Sequence, residues 1–239
     1  MNRPSPLTSL RTAGLLVAAV LLLGTRTAVA QMAEDLIPPD RNFASPERFN
    51  IEFHAGPFSP GLQEFQNFFA DDKGPMLELE LGVIAYKVPD LIDFSLDAGL
   101  GYAVFTGQAV ERGTQNRIDE ETELSLVPLS LLAVARIDAL PRKLSVPVIL
   151  TGKLGYSWIF WSSTKGAVDS GNDISHGLRW AAQVALDLDT FEPAVARAMD
   201  EEWGINHAFL FFELWGFKAV GDSLKLNDFT WSAGLGFNF

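Results

Sequence analysis

WSAGLGFNF, Trp231 to Phe239, ends the chain on a large apolar side chain. Counted back in steps of two, Phe239, Phe237, Leu235, Ala233, Trp231 and Phe229 share one face. Asn238, Gly236, Gly234, Ser232 and Thr230 share the other. Strict alternation is the period of a β-strand whose two faces meet different environments. Core and water would satisfy it in a soluble sheet. Lipid and lumen would satisfy it in a membrane barrel, where even the last residue is anchored.

The opposite end favours the barrel. Arg3 and Arg11 precede the apolar run AGLLVAAVLLLG, Ala13 to Gly24, and Ala28-Val29-Ala30 supplies a small-x-small cleavage site. This is the layout of a secretory signal over residues 1–30, cleaved ahead of Gln31. At about twelve residues the run is too short for a spanning helix, which needs roughly 20. The chain has no cysteine, which excludes a lipid-modified cysteine and any disulfide framework. Net charge is −12, and removing the leader, with Arg3, Arg11, Arg26 and no acid, makes it more negative. A nucleic-acid partner is therefore not expected, because such binding relies on neutralising phosphates.

Past residue 30, LSLVPLSLLAVA, Leu124 to Ala135, is the longest uncharged apolar stretch, and two serines and a proline break it. A membrane form must then be a closed barrel, since only helices and closed barrels satisfy every backbone group in lipid. A period-two reading gives eight strands: 49–58, 76–88, 91–105, 122–138, 146–161, 177–188, 207–217 and 226–239. The third shows the logic. Ile92, Phe94, Leu96, Ala98, Leu100, Tyr102 and Val104 share the lipid face, with Asp93, Ser95, Asp97, Gly99, Gly101 and Ala103 opposite. Around Pro128 the parity slips from Leu124 and Leu126 to Leu129, Leu131, Ala133, Ala135 and Ile137, which predicts a β-bulge at the proline.

The expected fold is an all-β, eight-stranded antiparallel transmembrane barrel over residues 49–239, behind a periplasmic tail at 31–48. Ten strands follow if 59–75 or 106–121 hides a further hairpin. Long connections at 59–75, 106–121, 162–176 and 218–225 face outward, and those at 89–90, 139–145 and 189–206 face the periplasm. The last, DTFEPAVARAMDEEWGIN, predicts a short helix capped by Asp189 or Thr190, with Pro193 in its first turn and Gly204 as terminator. Phe191, Val195, Ala198, Met199 and Trp203 form a stripe expected to pack on the barrel rim.

PLSLLAVARID, LPRKLSVPV, KLGYSWIFW, EPAVARAMDEEWGINHAFLFFELWG and TWSAGLGFNF together resemble a family of small outer-membrane β-barrel proteins common in myxobacteria and their relatives. The resemblance runs from about Phe49 to Phe239, and GINH with FLFFE is its most specific part. It implies the barrel fold and an outer-membrane address, and it carries no activity. Trp231, Ala233, Leu235, Phe237 and Phe239 are also similar to the C-terminal signal by which barrel-assembly machinery recognises its clients.

Parity places Glu52, His54, Glu78, Glu80, Asp93, Asp97, Arg136, Lys153, Arg179, Asp187 and Glu213 in the lumen. A barrel of eight strands is only wide enough to be filled by side chains. These charges are expected to form a network in which Arg136, Lys153 and Arg179 neutralise the acids, with a narrow pore or small-solute carrier as the alternative. A lipid-modifying enzyme would need a serine near His54, His176 or His207, and Ser175 beside His176 is adjacent only in sequence. No catalytic residue, cofactor or metal is assigned. Asp71, Asp72 and the run Ile118 to Glu123 read as solvated outward acids, with divalent bridging to lipopolysaccharide the weaker reading. Trp158, Phe160, Trp161 and Trp180 are expected in the outer aromatic girdle, and Phe237 and Phe239 in the inner one. The expected role is membrane-structural or surface-interaction, with outer-membrane lipid and lipopolysaccharide as surroundings.

Overall fold

The computed structural model describes residues 46–58, 74–89, 91–110, 117–144, 146–165, 168–220 and 228–239. The leader at 1–30, nearly all of the tail, most of the 59–75 connection and Asp71 and Asp72 lie outside them.

Eight antiparallel strands close into a barrel in chain order. They are β1 (Phe49–Phe58), β2 (Gly74–Val88), β3 (Ile92–Val110), β4 (Arg117–Ile137), β5 (Val148–Lys165), β6 (Val168–Asp187), β7 (His207–Ala219) and β8 (Asp228–Asn238). Helix α1 (Ala139–Leu144) joins β4 to β5, and α2 (Pro193–Trp203) joins β6 to β7. No helix among the described residues is long and apolar enough to cross a membrane. The seam is β8 on β1, where Phe53 faces Leu235 and the Phe239 N–H donates to the Phe49 carbonyl at 2.9 Å. Alternation at the C-terminus thus becomes the closing strand.

The polarity is the reverse of a water-soluble barrel. Phe53, Leu77 and Leu154 are 53%, 64% and 62% exposed on the outside, while Glu52, Glu80 and Glu213 are 0% exposed within. Directly paired residues trace an outward lane from Leu186 through Leu210, Leu235, Phe53, Leu79, Leu100, Leu129 and Trp158. The lane returns to β6 at His176, ten residues from Leu186. That stagger comes from strand tilt, which lets a closed sheet wind around a filled centre.

The bulge expected at Pro128 is absent. Leu124, Leu126, Pro128, Ser130, Leu132, Val134 and Arg136 all face inward, and the β4–β5 register runs unbroken from Thr122 against Lys165 to Ile137 against Leu150. A Cβ on Gly101 would stand 2.7 Å from the Pro128 ring, so a glycine across the ladder accommodates the proline. The sequence parity misled because Leu124 and Leu126 are apolar residues of the lumen, not of the lipid face. A real bulge lies in β2, between Ile84 and Tyr86. It turns Tyr86 outward and brings Lys87 to Asp93, at 3.4 Å.

Four further expectations are corrected. β3 to β6 extend beyond the expected spans, so the 106–121 connection shrinks to 111–116 and the 162–176 connection to 166–167. Ladder hydrogen bonds continue there through polar residues such as Thr122 and Lys165, which hydrophobic patterning does not mark. Trp161 turns inward onto the luminal apolar cluster rather than joining a girdle with Trp158 and Phe160. Helix α2 starts at Pro193 and is terminated by Gly204 in the left-handed region, φ 68°, as expected, but its N-cap is Glu192, without a side-chain cap bond, rather than Asp189 or Thr190. Its stripe does not pack on the rim, however, because Phe191, Val195 and Trp203 are all exposed.

Candidate functional site

The centre of the lumen is an ion network assembled from six strands. Glu52 of β1 and Glu80 of β2 are direct ladder partners, so two buried carboxylates face each other across the ladder. Like charges in that position repel. Lys153 of β5 reaches between them, its Nζ 2.7 Å from Glu52 Oε2, 2.6 Å from Glu80 Oε2 and 3.0 Å from Glu213 Oε2. Arg136 donates through Nη2 to Glu52 Oε1 at 2.6 Å and through Nη1 to Asn238 Oδ1 at 2.7 Å. Arg179 grips Glu78 with both guanidinium nitrogens, Nη2 to Oε2 at 2.7 Å and Nη1 to Oε1. Such forked pairs are the strong form of the interaction. Gln183 adds a donor to Glu52 Oε2 at 3.0 Å.

Four glutamates therefore meet three permanent cations. His54 stands among them, 3.3 Å from Glu52, 3.7 Å from Glu80 and 3.7 Å from Glu213. A proton on its ring would bring the cluster to neutrality.

Not every luminal acid joins. Asp97 is held by the Ser95 hydroxyl at 2.6 Å, with Asn50 at 3.5 Å. Asp93 lies at the rim beside Lys87. Asp187 accepts from the Asp189 N–H at 3.3 Å and the Thr190 hydroxyl at 2.9 Å, and so shapes the turn into α2. Sequence reading omitted Asn50, Ser130, Gln183, Ser232 and Asn238, all buried partners of the charges. Their inward parity alone could have found them.

Apolar layers bound the network. On one side Ile149, Ala185, Phe209 and Phe211 cluster near the end that holds the chain terminus. On the other, Phe58, Met76, Phe105, Leu124, Leu126, Ile159, Trp215 and Phe217 fill the far half. The cations rest on these layers: Arg136 lies 4.7 Å from the Phe209 ring centre, and Arg179 4.9 Å from that of Trp215. The lumen is thus charged in the middle, between two apolar clusters.

Two of the histidines have a serine nearby in space or in sequence. His54 Nδ1 is 3.4 Å from Ser232 Oγ, with Glu52 on its other nitrogen, a serine–histidine–acid order. All three side chains are buried inside the wall, at 1%, 3% and 0% exposure for Ser232, His54 and Glu52. Ser175 faces the lumen and His176 faces outward, on opposite sides of β6.

A second polar cluster latches the terminal end. His207 Nδ1 is 2.6 Å from Asp189 Oδ2, and its Nε2 is 3.3 Å from Glu47 Oε1. Asp187, Asp189 and His207 are close enough to share a metal ion. Their oxygens are already engaged, Asp189 Oδ1 by the Ala208 N–H at 3.2 Å and Asp187 by the turn, so the arrangement is read as structural. Burial raises the Glu47 carboxyl, but the hydrogen bond and charge of His207, then Lys87 at 2.7 Å, outweigh it and hold the group well below its ordinary 4.5. A depressed carboxylate stabilises the fold above that ordinary value, and the contribution drains away as pH falls below it. Glu47→Gln is expected to cost on the order of 1 kcal/mol at pH 7 and nothing in acid. Urea unfolding at the two pH values checks this, and an equal cost at both would contradict it.

No protein-family model matches the chain, and no curated protein matches it. Among solved structures it is similar to Neisserial surface protein A, at 14% identity, covering 80% of this chain and 97% of that one, TM-score 0.47. It is also similar to Ail, the attachment invasion locus protein of Yersinia pestis, at 11% identity, 81% and 97% coverage, TM-score 0.40. The N-terminal β-barrel domain of Pseudomonas aeruginosa OprF matches at 13% identity, 81% and 100% coverage, TM-score 0.40.

Proposed function

We propose that this protein is a small outer-membrane β-barrel with a sealed lumen and a non-enzymatic, membrane-structural or surface-interaction role. The reading includes export by the leader at 1–30, assembly through the terminal Trp231, Ala233, Leu235, Phe237 and Phe239, and kinship with the myxobacterial-type family. The inside-out polarity supports the membrane setting, because an apolar outer wall and charged centre are stable only with lipid outside.

One observation carries the sealed lumen. Lys153 is fully enclosed by three carboxylates, and the apolar layer of Phe58, Phe105, Leu126 and Trp215 lies across the route beyond it. A continuous water path would have to cross that layer. Function then falls to the outer wall, the connections and α2. Single-channel recording in planar bilayers tests this, using protein whose gel mobility shifts on boiling as folded barrels do. Silence is expected. Defined, reproducible conductance steps would overturn the sealed lumen in favour of the pore.

A further inference from the structure

Polar side chains are scarce on the outward wall, and three stand together towards the far end of β5, β6 and β7. The Tyr156 hydroxyl lies 2.6 Å from His176 Nδ1, with the two rings stacked at 5.9 Å and Trp158 at 5.1 Å from Tyr156. The ladder pairs Tyr156 with Leu178 and Leu178 with Lys218. Lys218 and His176 are therefore diagonal neighbours on one face, a spacing of roughly 7–8 Å that a lysine spans.

Lys218 differs from the other bases. Lys87, Arg136, Lys153 and Arg179 turn inward and are paired with acids. Among strand bases with described side chains, Lys218 alone is exposed outward, and it has no ion-pair partner among the described residues. An ammonium on the lipid wall costs about 2–4 kcal/mol at the midplane and about 0–1 near the interface, which places it at headgroup depth. In the tautomer in which the phenol donates to Nδ1, the imidazole N–H stands on Nε2 and offers a second donor. The neighbouring acid on β6, Asp173, does not compete from this face, and its Oδ1 accepts the Ile174 N–H at 2.8 Å. Two donors beside aromatic rings, with no carboxylate in ion-pair contact with either among the described residues, match a phosphate at the lipid surface.

We infer that Lys218 and His176, with Tyr156 fixing the imidazole, bind the phosphate of an outer-leaflet glycolipid. The inference rests on the reading of an embedded barrel. Tyr156 is a positioning residue, and Lys218 supplies the charge.

The test uses the full folded protein, first checked for insertion into phosphatidylcholine vesicles by its heat-dependent gel mobility. Native mass spectrometry then compares retention of a di-phosphorylated glycolipid with that of the same lipid after phosphatase treatment. The phosphorylated form is expected to be retained about fivefold better, the effect of one lysine at an anionic surface. Lys218→Gln should abolish that preference, Tyr156→Phe should weaken it, and Lys143→Gln on α1 should leave it intact. Insertion without any phosphate preference, or an undiminished preference in Lys218→Gln, overturns the headgroup site and leaves the barrel standing. Failure to insert overturns both.

Discussion

Lys153→Met is expected to lower the unfolding free energy by about 3–5 kcal/mol, because it leaves buried charges without their counter-ion. Glu52 and Glu80 face each other across the β1–β2 ladder, and the Lys153 ammonium between them also touches Glu213. Methionine keeps an apolar stem of similar length and removes the ammonium, with its charge and its hydrogen bonds to Glu52 and Glu80. The three carboxylates would then have to take up protons or draw in water, and either weakens the hold of β5 on β1, β2 and β7. Urea unfolding of vesicle-embedded protein reads the loss directly. Adding Glu80→Gln to the variant should recover part of it, since one of the repelling charges is then gone. A Lys153→Met protein as stable as the original would mean that the network contributes nothing to the barrel.

Gly234→Val is expected to prevent closure altogether. A Cβ at Gly234 would sit 1.8 Å from the carbonyl oxygen of Phe53 and 2.6 Å from the Phe211 ring. The first is backbone of the partner strand at the seam, so no rotamer change relieves the clash. The expected readout is loss of the heat-dependent gel shift. Gly152→Ala is the matched control, because a Cβ there meets nothing within 4 Å, and it should fold normally. Normal folding of Gly234→Val would contradict the described seam.

The fold was legible because lipid enforces one rule on every strand. β1 was located to the residue, and β3 with its two faces was read correctly from Ile92 to Val104, since every outward position of that span is apolar or aromatic. The inward face obeys no such rule. Leu124, Leu126 and Trp161 are apolar inside the barrel, and that produced both the misplaced bulge and the misassigned girdle residue. The charged residues of the network could be named by parity, but their partition could not. Asp187 and Asp93 are spent on a turn and a rim pair, and only three-dimensional packing distinguishes them from Glu52 or Glu80. The exposure of α2 was likewise invisible, because a stripe of apolar residues looks the same whether or not protein covers it.

Quenching of single-tryptophan variants by lipids brominated along the acyl chain tests the inside-out polarity most directly. Five of the six tryptophans lie in strands and fall on different sides of the wall, with Trp231 outward and 45% exposed, and Trp215 in the lumen and 3% exposed. Strong quenching of Trp231 with Trp215 unaffected is the predicted result. Equal quenching of the two, or quenching of Trp215 alone, would contradict a barrel that turns its apolar wall to lipid and packs its lumen shut.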